Sequence, residues 1–312
     1  MSGNQLSQKL RPFRGHRAPS RRREWLRVLG RAVRTPRGAT GLAIGGAVVL
    51  LAAIGPAVAP HPATAFVALP FSRPSASLPL GADVLGRDVL SRTLNGGWEL
   101  LLMAAAATAL GVVAGTACGV TAAYVGGWTD HVLMRAVDIV LAFPQLVFAL
   151  LLVSVLGPKV WLIVLAVGIS HTPQVARVTR AAALDICERD FVKAAQILGI
   201  PGRKVLSREV LPSLTSVLMV EVGLRLTYSI LVIAGLSFLG FGLQPPSPNW
   251  GQMINENRVG LATNPWGVIA PTILIALLTI GINTFTDAVA RSSLGVGRGS
   301  DDALILEQQP AE

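Results

Sequence analysis

Long apolar stretches alternate with short polar segments along the 312 residues of the chain. A helix needs about 20 apolar residues to cross the hydrocarbon layer of a bilayer. Six stretches qualify, although the fourth is short because it lies between Pro158 and Pro173, and we expect its last turns to continue through residues 174–176. The predicted spans cover residues 41–59, 99–123, 137–156, 160–173, 214–241 and 267–290.

The composition supports a membrane protein. Hydrophobic residues make up 52% of the chain and charged residues only 14%, with a mean hydropathy of +0.57. A soluble domain has about a quarter of its residues charged. The sequence therefore predicts an all-α, polytopic membrane protein with six transmembrane helices.

The first span has an alternative interpretation. "SRRREWLRVLG" (20–30) resembles a twin-arginine export signal, and "AVA" (57–59) resembles a cleavage site. At least four more strong spans follow, and a polytopic chain is not a folded soluble domain for export. We therefore expect an uncleaved first span.

Basic residues determine the predicted orientation. Eleven of the 27 Lys and Arg residues lie in residues 1–40, which form a predicted basic tail. With the amino terminus in the cytoplasm, the cytoplasmic segments hold 21 basic residues and the external segments hold five. The positive-inside rule therefore predicts cytoplasmic termini. In that orientation the tail contacts anionic lipid headgroups, an interpretation favoured over nucleic-acid binding.

The residues give no sign of catalysis or of a bound cofactor. The chain has no phosphate-binding G-x-x-x-x-G-K-[ST] motif and no cluster of cysteines and histidines spaced for a metal. Cys118 and Cys187 are not expected to form a disulfide. His171 is interpreted as an interfacial or helix-packing residue, in preference to a residue active in transport.

The segment from Asp190 to Pro212 predicts a short amphipathic helix on the cytoplasmic side. Asp190 is suited to cap its amino end, and Gly199 followed by Pro201 is suited to end it. Lys193 lies on the polar side, and a second short helix over 203–210 leads to Pro212 and the fifth span. The apolar positions recur at i, i+3, i+4 and i+7, which is one helix face: Phe191, Ala194, Ala195 and Leu198. This small face favours docking into a groove of another protein, with a position in the lipid interface as the alternative.

Charged residues also occur in or beside the spans. Glu221 and Arg225 are four residues apart in the fifth span, so an intrahelical pair is favoured over a lining of a translocation pathway. Asp83–Arg87 and Asp88–Arg92 have the same spacing, which predicts an external amphipathic helix. We interpret that helix as a lid packed on the spans, with contact to an external binding protein as the alternative.

Two further patterns concern packing and the membrane surface. Gly111, Gly115 and Gly119 recur every four residues in the second span, which predicts close helix packing within this subunit or against a partner. "QPPSPNWG" (244–251) predicts an external turn-rich loop in which Trp250 anchors at the membrane interface.

Four stretches resemble permeases of bacterial ABC importers. "KAAQILG…VLP" is similar to the EAA loop of that family, although Lys193 stands where Glu is usual. "LGADVLGRDVLSR" (80–92) resembles the external segment of the C-type subunit of dipeptide and oligopeptide permeases, with Ala82 in place of Thr. "YVGGWTDHVLMRAVDIVLAFP" (124–144) resembles the family's first cytoplasmic loop, and "LSFLGFGLQPPSPNWGQMI" (236–254) resembles another of its blocks. The resemblance covers about residues 80–290; Trp98, Glu99 and the C-terminal stretch depart from it.

This resemblance implies a type I permease bundle in a bacterial cell membrane. Residues 1–40 would be the cytoplasmic tail, 41–98 the first span with the external segment, 99–290 the core with coupling helices at 185–210, and 291–312 a second cytoplasmic tail. The implied partners are a second homologous permease, two ATPase subunits, an extracytoplasmic substrate-binding protein and membrane lipid, with no nucleic acid. No cofactor is implied, and ATP hydrolysis would occur on the partner subunits.

The resemblance also assigns roles to particular residues. The EAA loop would couple to the ATPases through Asp190, Phe191, Lys193, Ala194, Ala195, Leu198, Gly199 and Pro212. Contact with the binding protein would involve Asp83, Arg87, Asp88, Pro245, Pro246 and Trp250. The implied cargo is a dipeptide or oligopeptide; nickel, glutathione and haem are alternatives within the family, and a self-sufficient secondary transporter is a less favoured one because the chain shows no convincing internal repeat.

Overall fold

The computed structural model describes the backbone of residues 22–307 and the side chains of residues 26–293 other than that of Arg27. The predicted tails therefore lie outside the described residues at 1–21 and 308–312. The described chain is a helical bundle, with α1 (Arg22–Arg34), α2 (Pro36–Val58), α3 (Val89–Asn95), α4 (Trp98–Val125), α5 (Gly127–Leu141), α6 (Gln145–Leu156), α7 (Val160–Cys187), α8 (Asp190–Ile197), α9 (Gly202–Val205), a π-helical turn (Leu206–Val210), α10 (Leu211–Ser213), α11 (Thr215–Phe238), α12 (Trp250–Asn257), a 3₁₀ turn (Arg258–Gly260) and α13 (Trp266–Glu307).

The predicted membrane class is confirmed. Among the described residues, five helical stretches are long and apolar enough to cross a bilayer, and a sixth is present if α5 and α6 are counted as one span. Helices are favoured there because hydrocarbon offers no partner for backbone polar groups, which a helix pairs internally. Two regions outside the spans, made of three segments, mark opposite ends of the bundle. We call residues 188–214 the connector, and residues 59–97 together with 242–265 the cap.

The predicted third span, residues 137–156, is wrong as a single straight helix. The chain breaks between Leu141 and Gln145, and α5 and α6 meet at an angle of 81°. Pro144 stands at the break, where its ring disfavours helical geometry at Phe143 and its missing N–H removes a helical bond. Helix α5 also begins ten residues earlier than the predicted span, at Gly127.

The predicted fourth span, residues 160–173, was too short. Helix α7 continues without interruption through Pro173 to Cys187. Proline is tolerated inside a membrane helix when neighbouring helices support the freed backbone groups. Pro173 is buried in such a setting, since α7 packs along much of its length against α4.

The glycine repeat of the second span packs within this subunit. A Cβ atom on Gly115 would lie 2.6 Å from the Cβ of Val175, and one on Gly119 would lie 2.3 Å from the carbonyl oxygen of Ala176. These distances are shorter than ordinary carbon contacts of about 3.5–4.0 Å, so only glycine allows the two backbones to approach this closely. The predicted close packing is therefore an α4–α7 contact.

A second glycine contact joins the first and last spans. Gly41 and Gly45 of α2 lie against Gly281 of α13, with a Cβ on Gly281 2.4 Å from the backbone nitrogen of Gly45. Helix α1 packs beside them through Val28 and Ala32. The first and last spans are thus joined to each other.

Candidate functional site

The connector carries the predicted amphipathic helix as α8. Its carboxyl end matches the prediction: Gly199 has a φ of +71°, its N–H donates to the carbonyl of Gln196 at 2.9 Å, and the N–H of Ile200 donates to that of Ala195 at 3.1 Å. This is the pattern of a Schellman cap. The predicted amino cap is wrong, because Arg189 occupies that position and Asp190 is already the first helical residue. The Asp190 carboxylate still lies where the helix dipole favours a negative charge.

One face of α8 is turned toward the protein's own bundle. Val192 and Ala195 are buried, and they pack in one apolar cluster with Val205, Val210 and Leu214. Ala195 was predicted to belong to the docking face, and that assignment is wrong because its methyl group supports α8 from beneath. The cluster fixes the orientation of α8 on the connector.

The rest of α8 and the residues after it expose apolar side chains. Ile197 is 86% exposed and Leu198 is 77% exposed, and Phe191 and Ile200 border them. Ala194 and Lys193 are also exposed, whereas Pro212 is half-buried at the start of the return to α11. Large exposed apolar residues grouped at one place mark interaction sites on protein surfaces. We call Phe191, Ala194, Ile197, Leu198 and Ile200 the connector patch.

Ion pairs join α5 to α7 immediately before the connector. The guanidinium of Arg180 binds the carboxylate of Asp130 through two bonds of 2.5 Å, and Arg177 donates to Asp138 at 2.5 Å. A bidentate pair fixes orientation as well as distance. Helix α5 is therefore bound to the part of α7 that leads into α8.

The intramembrane charges predicted in the fifth span do pair with each other. Arg225 Nε donates to Glu221 Oε2 at 3.2 Å, Glu221 is buried, and the guanidinium carbon of Arg225 lies 5.4 Å from the centroid of the Tyr228 ring. Pairing and a cation–π contact both lower the cost of a charge at this depth. A place in a translocation pathway stays a prediction.

A buried polar cluster escaped sequence reasoning. His171 of α7 is fully buried, with Nδ1 2.9 Å from Gln145 Nε2 and Nε2 2.9 Å from Ser229 Oγ, which lies 3.1 Å from Thr108 Oγ1. We call Thr108, Gln145, His171 and Ser229 the polar junction. Its only sequence signal was the presence of scattered polar residues in four apolar segments, which does not reveal which of their side chains meet.

The cap holds the charges predicted for an external amphipathic helix, but that helix begins only at Val89. Asp83 and Arg87 lie in turns before it, where Arg87 Nε donates to Asp83 Oδ2 at 2.7 Å as the spacing predicted. The predicted Asp88–Arg92 pair is wrong. Arg92 and Arg87 both bind Glu256 of α12, at 3.2 and 2.9 Å.

Asp88 has a different role, which the loop geometry explains. Its carboxylate caps the amino end of α3 by accepting from the N–H groups of Leu90 and Ser91 at 3.1 and 3.2 Å, and it also binds His61. Because Asp83, Arg87 and Asp88 are each at most 3% exposed, their side chains are not available at the surface. Their predicted contact with a binding protein is therefore corrected.

Trp250 is also buried rather than interfacial. It is fully enclosed at the start of α12, and its Nε1–H donates to the carbonyl of Thr93 at 2.8 Å. Pro245 and Pro246 are exposed on the loop before it, so only these two of the predicted contact residues lie at the surface. Across the part of the chain that the structure describes, no group of three or more His, Cys, Asp or Glu residues is arranged to hold a metal ion.

Comparison with known proteins agrees with the extent of the resemblance. The family model described as "Binding-protein-dependent transport system inner membrane component" matches residues 96–293. The chain is 35% identical to a glutathione transport system permease protein, GsiD, of Pectobacterium atrosepticum, over 69% of this chain and 72% of the relative. It is 36% identical to a provisionally named peptide permease protein of Brucella ovis, over 70% of this chain and 73% of the relative. A GsiD protein of Escherichia coli is 35% identical over 67% of this chain and 69% of its own length.

Proposed function

The chain belongs to the family of binding-protein-dependent transport system inner membrane components, and from this premise we propose that it forms half of the translocation pathway of a peptide importer. As a member it is a non-catalytic, multi-pass permease subunit of an ABC transporter. In the proposed complex a second, homologous permease completes the pathway, two ATPase subunits supply the energy, and a substrate-binding protein delivers the cargo.

The connector patch is the observation that carries the coupling part of the proposal. Helix α8 is held by its own apolar cluster through Val192 and Ala195, yet Ile197 and Leu198 at its carboxyl end are exposed. An amphipathic helix presented in this way suits insertion into a groove of a partner. We assign the patch, with Asp190, Lys193 and Gly199 around it, to contact with an ATPase subunit.

The cargo assignment rests on the relatives. Their names specify glutathione and peptides, and glutathione is itself a small peptide. We therefore propose small peptides as the cargo class. Nickel and haem have no support among these names.

The orientation and the cap complete the proposal. The excess of basic residues in the connector and before the first span supports placing both on the cytoplasmic side. The cap then faces the substrate-binding protein, and Pro245 and Pro246 are the exposed members of the predicted contact. In alternating access, ATP-driven closure of the ATPases would displace α8 and tilt α7 and α11 with it.

The test replaces Leu198 with glutamate in the full chain, co-expressed with the two ATPase subunits and the second permease of the proposed complex. Burying a leucine side chain contributes about 1.5–3 kcal/mol, and a buried unpaired charge adds a further cost. We expect at least a roughly tenfold loss of ATPase co-purification from Leu198→Glu, since about 1.4 kcal/mol is a factor of ten.

Leu69→Glu is the matched control because Leu69 is 79% exposed in the cap, at the opposite end of the bundle. This variant should keep the ATPases. If Leu198→Glu retains them to the same degree as the control, the patch does not dock on an ATPase. If instead a lipid-soluble quencher quenches a fluorophore attached at Leu198→Cys while the ATPases are retained, the patch lies in the lipid interface.

A further inference from the structure

The polar junction brings together side chains from four separate helices. Thr108 comes from α4, Gln145 from α6, His171 from α7 and Ser229 from α11, and the hydrogen bonds that connect them run in sequence from Gln145 to Thr108. As placed, the Gln145 amide donates to His171 Nδ1, so a neutral imidazole can donate from Nε2 to Ser229 Oγ. The Ser229 hydroxyl is then free to donate to Thr108. Each member thus has a partner, which buried polar groups require.

The junction holds the broken span in place. Gln145 is the first residue of α6, directly after the break at Pro144. Only Ala149 and Val153 of α6 are buried, and they follow Gln145 at four-residue intervals on the same face. Apolar contacts give little driving force between helices in lipid, where packing and hydrogen bonds decide association. The Gln145–His171 bond therefore adds to the packing of Ala149 and Val153 in holding α6.

The junction also joins the two helices that flank the connector. Helix α7 enters the connector at Cys187 and α11 leaves it after Leu214. His171 lies 16 residues before Cys187, which is about 24 Å along a helix. At that depth the His171–Ser229 bond connects α7 to α11.

We propose that the polar junction makes α6, α7 and α11 move as one unit, so that a displacement of α8 reaches the broken span and the Glu221–Arg225 face of α11. His171 is a positioning residue in this scheme and touches no cargo. The transmission of a displacement of α8 rests on the proposed transport function. The clamping of α6 concerns the chain by itself.

The first experiment measures the clamp in the isolated full chain, which needs no partner. Spin labels are attached at Val132→Cys on α5 and Val147→Cys on α6, both exposed positions, after Cys118 and Cys187 are replaced by serine. Double electron–electron resonance then reports the distribution of distances between the two labels, one on each side of the break between α5 and α6. We expect His171→Leu to broaden it and His171→Gln, which keeps a donor and an acceptor, to restore it. His131→Leu, at an exposed position on α5, is the control.

The second experiment measures energy coupling in the complete transporter. We expect His171→Leu to lower peptide uptake per ATP hydrolysed by at least roughly fivefold, the lower end of typical coupling between sites. If His171→Leu does not fold, Ser229→Ala breaks the same chain of bonds with a smaller change in volume.

An unchanged distance distribution in His171→Leu would overturn the clamp. If His171→Leu broadens the distance distribution but leaves peptide uptake per ATP hydrolysed unchanged, the proposed transmission of movement to α11 is wrong. Failure of the proposed function itself gives a different result, in which no ATPase co-purifies with the unaltered chain while the spin-label measurement still reports on the clamp.

Discussion

The close packing of α4 on α7, which we call the α4–α7 seam, allows the loss of stability from Gly115→Ala to be estimated. The added methyl group would lie 2.6 Å from Val175 Cβ and 2.7 Å from the carbonyl oxygen of Thr172, so the two helices must separate by about 1 Å at this point. A separation of that size forfeits a quarter to a half of the attraction between the neighbouring contacts. Such overpacking costs about 1–3 kcal/mol.

Gly46→Ala is the matched control for this substitution. Gly46 is also a helical glycine in an apolar span, but apart from its chain neighbours and the adjacent backbone of its own helix no atom lies within 4 Å of the position that its Cβ would take. Both substitutions gain the same helix propensity, about 0.5–1 kcal/mol, so their difference isolates the steric effect. We expect Gly115→Ala to be less stable than Gly46→Ala by about 1–3 kcal/mol.

The assay is unfolding of the full chain in mixed micelles, with the free energy of unfolding measured as a denaturing detergent is added. Gly46→Ala should match or slightly exceed the unaltered chain. Equal free energies of unfolding for the two variants would refute the argument, because they would mean that the seam relaxes without cost.

Two further predictions concern contacts that the sequence did not reveal. In a double-mutant cycle, Asp130→Asn and Arg180→Gln should show a coupling energy of about 1 kcal/mol in the same assay, because the pair is bidentate and only partly exposed; additive effects would mean that the ion pair does not hold α5 to α7. Trp250→Phe leaves the carbonyl of Thr93 without its donor, and should destabilise the cap by about 1–3 kcal/mol, measured as faster limited proteolysis. Trp266→Phe, at a partly exposed tryptophan, should not destabilise the cap. Equal rates of proteolysis for the two variants would contradict the role given to the buried Trp250–Thr93 bond.

Sequence alone determined the features that depend on neighbouring residues. The apolar runs predicted the spans because a bilayer leaves the chain little choice but helix over such lengths. Gly199 marked the end of α8 because the left-handed backbone conformation at that position favours glycine. The four-residue glycine repeat gave the packing stripe of α4, although not its partner α7.

Local signals failed wherever a distant segment decided the outcome. Pro173 and Pro144 look equally disruptive in the sequence, yet α7 continues through one and the chain breaks at the other. The difference lies in the surroundings, since Pro173 is buried in a helix that packs closely on α4, whereas Pro144 is exposed between two separate helices.

The charged and polar sites show the same limit. The spacing of Asp83, Arg87 and Arg92 fits an exposed helix as well as a buried turn, and the choice depends on Glu256, which is 164 residues from Arg92 along the chain. The role of His171 likewise depends on Gln145 and Ser229, which lie on two other helices. Backbone hydrogen bonds and helix ends are local interactions, so the sequence determines them; the pairing of buried polar groups is non-local, and only the packed helices decide which of them meet.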